Sequence, residues 1–264
     1  MLTRIDEQGV NMAFADRVAI IPRTNANRPG RKLRGGIPAY ITIHETGNTD
    51  KGANAEMHSR FVFTGGGAEG VSFHYVVDDH ESIQLVPDDE VAWHAGDGPF
   101  GPGNSTSLAV EACVNSDGNF ERTKRNLVKL VVKLMLAYGI PASKVVQHNY
   151  WSGKDCPHFL RLSGWDRLIS QLTAAIAKGR EFPTGFALSG PFRTYFEQHG
   201  DIPVFGMPIS GVEEIAFPGL DTLQVQWFER SRLEIQPDGT ITRGLVGAEA
   251  LAAYRVRKSV KREM

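Results

Sequence analysis

The stretch Gln147-His148-Asn149-Tyr150-Trp151-Ser152-Gly153-Lys154-Asp155-Cys156-Pro157-His158 holds an imidazole, a primary amine and a thiol within one turn-rich loop. Imidazole and thiolate are the donors that Zn²⁺ prefers. A protonated lysine does not ligate a metal, but beside one it can steady a developing oxyanion. Two ligands do not close a site. The best third is His44, at the end of the strand-like run Tyr40-Ile41-Thr42-Ile43-His44. That strand opens into Glu45-Thr46-Gly47-Asn48, a common way for an α/β fold to present a side chain in a cleft. A second polar group stands out: Glu111 interrupts the apolar run from Leu108 to Val114. A carboxylate there is costly unless it is paired or catalytic.

The elements that must position these groups follow from local patterning. Alternation puts Ile41 and Ile43 on one face of the first strand and Tyr40, Thr42 and His44 on the other. A helix is expected from Asn54, its N-cap, to Phe63, with Gly65-Gly66-Gly67 as a stop. A second strand runs from Val71 to Val77, with Phe73, Tyr75 and Val77 on one face and Ser72, His74 and Val76 on the other. A short strand from Ser82 to Val86 pairs with it across the Asp78–Glu81 turn. Leu108, Val110, Ala112 and Val114 share one face of a third strand. Leu127, Leu130, Val131, Leu134 and Tyr138 recur at helical spacing among basic residues, and Gly139 ends that helix. Another helix covers Trp165 to Ala177, burying Leu168, Ile169 and Leu172.

With 264 residues the chain is long enough to bury a sizeable core. A formal net charge of −1 gives no basic footprint for nucleic acid. No apolar run approaches the roughly 18–20 residues of a membrane span. The opening residues lack the apolar core of a secretory signal, so synthesis in the cytoplasm is expected, with any later export by another route. Of the two cysteines, Cys113 reads as a small buried hydrophobe and Cys156 stays free to be a ligand; a disulfide framework is not expected.

Five segments then occur in a fixed order: Ile43-His44-Glu45-Thr46, Ser72-Phe73-His74-Tyr75, Ala92-Trp93-His94-Ala95-Gly96, Val110-Glu111-Ala112-Cys113, and His148 through Cys156-Pro157. Over roughly residues 36 to 176 the chain resembles the zinc-dependent N-acetylmuramoyl-L-alanine amidases of the type-2 family, which includes phage endolysins and peptidoglycan-recognition proteins. The resemblance implies an α/β fold with a central mixed β-sheet flanked by helices, one catalytic Zn²⁺, and hydrolysis of the amide between muramic acid and L-alanine. It places His44, His148 and Cys156 on the zinc ligands, leaving the fourth position open as in catalytic sites. It places Tyr75 and Lys154 on residues that assist catalysis, and Glu111 on the family's acidic residue. Trp93, His94, Thr46 and Asn48 are expected to contact substrate. Alternatives stay open beside these roles. Glu111 can serve only to orient Lys154, Tyr75 can be core packing, Cys156 can be an inert thiol, and Trp93 and His94 can merely shape their loop. His158 lies close enough in sequence to support a ligand from behind.

The implied organisation is an N-terminal arm over 1–35, a catalytic domain over 36–176, a linker over 177–183 and a small aromatic- and turn-rich module over 184–264. The module carries Phe192, Tyr195, Phe196, Phe205, Phe217, Trp227 and Phe228, one or two strands between Leu223 and Ile235, and a Pro237-Asp238-Gly239 turn. A final helix is expected from Ala248 to Lys261, its closing cations suiting the dipole. Exposed aromatics would stack on sugars and attach the module to the cell wall; a packing extension is the other reading. The partner expected is bacterial peptidoglycan, reached after release by a host-lysis route as in an endolysin, with the protein a monomer. The alternatives are a non-catalytic recognition module and a cytosolic amidase acting on soluble muropeptides.

Overall fold

A computed structural model of the chain describes residues 14–64, 70–216, 222–247 and 249. These form two compact units, divided between Ile176 and Ala177. All of the helix expected from Ala248 to Lys261 but Glu249, together with the glycine stop at 65–67 and Phe217, lies outside the described residues.

The first unit is built on a six-stranded sheet. Its strands are β1 (Arg17–Val18), β2 (Tyr40–Glu45), β3 (Tyr75–Val77), β4 (Ser82–Gln84), β5 (Ser107–Ala112) and β6 (Val145–Gln147), in the order β1-β4-β3-β5-β2-β6. Only the β3–β4 pair is antiparallel, so the sheet is mixed, as the resemblance implied. Strand alternation sorts its side chains. Ile41, Ile43, Tyr75, Val77, Leu108, Val110 and Ala112 enter one core, and Val76, Ala109 and Cys113 enter another. Helix α1 (Ala55–Phe63) contributes Ala55 and Val62 to the second core, and the Asn54 side chain caps it by accepting from the Met57 N–H. After the five-residue α2 (Pro102–Thr106), α3 (Phe120–Tyr138) packs Leu127, Leu130, Val131 and Leu134 into the first core. It starts earlier than its apolar repeat because Asn119 caps it, and it stops where Gly139 turns left-handed at φ 64°. Each such leucine, fully buried, contributes about 1.5–3 kcal/mol. Short helices α4 (Asn149–Ser152) and α5 (His158–Ser163) lead to α6 (Trp165–Lys178), which buries Leu168 and Leu172; Ile169 is only partly covered.

Two local expectations change. The strand predicted from Val71 begins only at Tyr75, because Ser72 bonds to the Trp93 backbone in both directions, its N–H to the carbonyl and its hydroxyl to the N–H. The segment read as an arm is woven into the unit: β1 pairs with β4, and Ile21 and Leu33 are buried.

The second unit holds a small hairpin of β7 (Arg180–Glu181) and β8 (Ala187–Leu188), helices α7 (Gly190–Gln198) and α8 (Asp201–Phe205), and an antiparallel sheet. That sheet comprises β9 (Pro208–Ala216), β10 (Thr222–Phe228), β11 (Arg232–Ile235) and β12 (Ile241–Arg243), in the order β12-β11-β10-β9. Its core is Phe182, Leu188, Phe192, Phe196, Phe205, Phe228 and Leu233. Residues 177–183, read as a linker, therefore carry a strand and a core phenylalanine. The aromatics expected on the surface mostly face one another: Phe196 lies 5.3 Å from both Phe205 and Phe228, centroid to centroid. An exposed phenylalanine ring gains by leaving water, and seven such apolar residues suffice to close a small core.

Candidate metal centre

Parallel pairing brings the site together. In the β2–β5 register His44 stands opposite Glu111, and in the β3–β5 register Glu111 stands opposite Val76, so these three share a sheet face near the strands' C-terminal ends. One residue beyond β6, the His148 N–H donates to the Ile43 carbonyl at 3.2 Å and extends the β2–β6 ladder. His44 and His148 thus meet, ring centroids 4.5 Å apart.

Cys156 reaches the same point by a reversal of the chain. The single turn of α4 ends at Gly153, whose φ of 75° suits glycine. The Asn149 amide then donates to the Gly153 and Lys154 carbonyls, and its backbone N–H to the Cys156 carbonyl. Past the cis Cys156–Pro157 bond, the buried Glu45 carboxylate accepts from the Phe159 N–H at 2.8 Å and the Leu160 N–H at 2.9 Å. The strand that carries His44 therefore caps the helix that follows Cys156.

The donor atoms of His44, His148 and Cys156 lie within 4.8 Å of one another, and all three residues are buried. His44 Nε2 is bonded to His94 Nδ1 at 3.0 Å, and His148 Nε2 to the Ala95 carbonyl at 3.1 Å. That leaves the two Nδ1 atoms for a shared ligand. His44 Nδ1 is 3.9 Å from Cys156 Sγ, and His148 Nδ1 is buried without any partner. Buried polar atoms are nearly always satisfied, and a metal ion is the partner these donors fit. Burial first, and then neighbouring imidazoles and Lys154, hold the His44 pKa well below its usual value; burial and Lys154 lower that of His148. Both imidazoles are neutral near pH 7 and keep lone pairs to give. Burial, assisted by the Glu111 carboxylate, pushes the Cys156 thiol up to about 12. A bound cation supplies the positive charge that thiolate formation needs here.

Glu111 Oε1 lies 3.8 Å from His44 Nδ1, while Oε2 is buried and unpartnered. Burial pushes this carboxyl up to about 8, against the pull of the Lys154 ammonium and with the push of Glu45. The groups open onto a cleft of about 820 Å³. Thr46, Asn48, Trp93 and Lys154 line it.

Two of the expected residues stand away from the site. Tyr75 is fully buried on the opposite sheet face, in register with Val110, and its hydroxyl donates to Asp88 Oδ1 at 2.6 Å. The aromatic from that segment which lines the cleft is Phe73, which has no hydroxyl. His94 also lines the cleft; it is buried, and its two nitrogens are bonded to His44 Nε2 and, at 3.4 Å, to Ser107 Oγ. His158 pairs with Asp155 at 2.6 Å on the surface instead of backing a ligand. The sequence reading missed Glu45. The only local signal was a charged residue at the close of a buried strand.

The family profile described as N-acetylmuramoyl-L-alanine amidase matches residues 34–159. The N-acetylmuramoyl-L-alanine amidase CwlH of Bacillus subtilis is 42% identical over 180 residues, which span 66% of this chain and 70% of the relative. The chain belongs to the N-acetylmuramoyl-L-alanine amidase family. XlyA of Bacillus subtilis, another amidase, is 37% identical over 74% of this chain and 60% of its own length. The solved catalytic domain of XlyA superposes with a TM-score of 0.55 at 40% identity, covering 59% of this chain and 97% of that domain. The structure of PlyL gives 0.53 at 36% identity, covering 59% and 95%.

Proposed function

We propose that the first unit hydrolyses the amide joining N-acetylmuramic acid to L-alanine in bacterial peptidoglycan, with Zn²⁺ held by His44, His148 and Cys156. The convergence of three metal-binding donors beside a carboxyl group with one buried, unpartnered oxygen carries this reading. Zinc, when bound, supplies Lewis acidity and lowers the pKa of water to about 7. Glu111 then takes a proton from the attacking water and returns it to the leaving alanine nitrogen, a role worth roughly 10²–10⁴-fold. Lys154, exposed and lining the cleft, supplies an ammonium to steady the carbonyl oxygen as it gains charge. Trp93, Thr46 and Asn48 offer one aromatic face and two polar side chains to glycan and peptide.

Family membership and the complete donor set favour an endolysin-like lytic amidase over a recognition module, which has no use for three buried ligands. Among the described residues no helix is long and apolar enough to cross a membrane. Mass analysis of digested muropeptides tests the reaction: free muramic lactate and a free L-alanine terminus are expected, and a chelator abolishes both. Products cut at any other bond, or chelator-resistant cleavage, would refute it. For the second unit, the packed phenylalanines support a folded extension over a sugar-stacking surface. Deleting the residues after 183 leaves pelleting with purified sacculi unchanged on this reading, and reduces it if the unit attaches to the wall.

A further inference from the structure

We propose that Trp151, Thr42, Ser107 and His94 form a directed hydrogen-bond chain that fixes the tautomer of His44, leaving its Nδ1 bare before any metal arrives. The inference rests on His44 being a metal ligand, and it assigns work to four residues that touch neither metal nor substrate in the reading above. The chain starts at a group with no choice. The Trp151 indole Nε1–H can only donate, and it meets Thr42 Oγ1 at 2.8 Å. Thr42 Oγ1 lies 2.8 Å from Ser107 Oγ, and Ser107 Oγ lies 2.7 Å from the Gly103 carbonyl. Oxygens this close need one proton between each pair. A carbonyl brings none, so the Ser107 proton lies toward Gly103 and the Thr42 proton toward Ser107.

Ser107 Oγ has then only a lone pair to offer His94 Nε2, at 3.4 Å. His94 must carry its proton on Nε2, and its Nδ1 is an acceptor. The next contact, His44 Nε2 to His94 Nδ1 at 3.0 Å, takes its proton from His44. A neutral His44 protonated on Nε2 has a free lone pair on Nδ1, the atom 3.9 Å from Cys156 Sγ. The opposite tautomer would aim a hydrogen into the metal site and set two bare nitrogens against each other across 3.0 Å. Thr42 and Ser107 have no exposure, and His44 and His94 at most 8%. The same bonds hold the imidazole plane. Backing bonds of this kind typically govern metal affinity by 10–100-fold.

The test uses the full chain, stripped of metal and labelled with ¹⁵N-histidine. Long-range ¹H–¹⁵N correlation spectra read which ring nitrogen carries the proton; Nε2 is expected for both His44 and His94. Zinc affinity is measured by chelator competition for the wild type, H94F, H94Q and S107A. H94F and S107A are expected to bind zinc about 10- to 100-fold more weakly. H94Q is expected to recover most of the loss, because its amide oxygen accepts from His44 while its NH₂ donates to Ser107. A purely structural role for His94 would not produce that recovery. An Nδ1-protonated His44 in the metal-free wild type would overturn the proposal, as would folded H94F with wild-type affinity. If H94F does not fold, S107A and the wild-type spectrum still decide. Failure of the wild type to bind zinc at all would instead sink the metal-centre reading, while the tautomers would still judge the chain.

Discussion

Removing the carboxylate of Glu45 should loosen the metal centre without touching a ligand. Glu45 is 7% exposed and accepts two charge-assisted bonds, 2.8 and 2.9 Å long, from the Phe159 and Leu160 N–H groups at the start of α5. In E45A these donors meet different fates. Phe159 is 44% exposed, so water replaces much of its bond, and the loss there is about 0.5–1.5 kcal/mol. Leu160 is 1% exposed, and an orphaned N–H in that setting costs about 1–3 kcal/mol. Some of this is returned, because burial already penalises the Glu45 charge and raises its pKa. The net is about 2–3 kcal/mol against the local structure that begins just after Cys156.

Because the damage is local, native-state hydrogen exchange is the suitable assay. At 1.4 kcal/mol per tenfold, protection of the Leu160 amide should fall roughly 30- to 150-fold in E45A. Amides in the middle of α3 should be unaffected. Zinc affinity should fall with it, since the Cys156 thiol loses its anchored position. E45Q, which keeps one acceptor oxygen, should lie between. If E45A keeps wild-type Leu160 protection, the carboxylate is not what holds α5 to β2, and the account of how Cys156 is placed is wrong.

E111Q should retain zinc yet lose roughly 10²–10⁴-fold in kcat, measured by muropeptide release. In the metal-free protein K154M removes the cation that opposes the upward push of burial on Glu111, so the Glu111 carboxyl should ionise at higher pH, read by its ¹³C shift through a pH titration. Y75F should leave kcat unchanged, because its hydroxyl faces Asp88 and not the cleft, but should lower Tm through loss of a bond worth about 1.5–3 kcal/mol. Asp88, pushed up to about 6 by burial despite bonds from Tyr138 and Tyr75, binds its proton more tightly in the folded state than in the unfolded one. Its contribution to stability is therefore greatest below pH 4 and falls by up to about 3 kcal/mol as pH rises through 6. D88N should flatten that part of the stability–pH curve, read as Tm from pH 4 to 7.

The convergence of His44, His148 and Cys156 was legible because metal chemistry is written in residue types. Few uses other than a metal explain a histidine and a cysteine eight residues apart in a turn-rich loop with a strand-end histidine upstream. Helix limits were legible where a cap marked them, as at Asn54 and Gly139. Tyr75 was misjudged for a different reason. Alternation along its own strand set it apart from Val76, but only cross-strand register reveals that Val76 stands beside Glu111 and so defines the face of the site. Register between distant strands is a tertiary fact, and no local pattern encodes it. The aromatics of the second unit pose the same difficulty. Composition counts Phe192, Phe196, Phe205 and Phe228, but not whether they point at solvent or at one another.

What makes the centre specific is the division of labour between backbone and side chain. Parallel pairing alone delivers His44, Glu111 and His148 to one end of the sheet, since each sits at or just past the close of β2, β5 or β6. No pairing can deliver Cys156, which lies outside the sheet. It must be brought back by a left-handed glycine, an asparagine bonded to two carbonyls, and a carboxylate borrowed from the residue next to His44. Sheet order fixes the two imidazoles rigidly, whereas the thiol depends on a handful of polar contacts. Substitutions that spare every ligand should therefore release the thiolate before either histidine, and Glu45 is the contact through which the sheet itself holds that third donor in place.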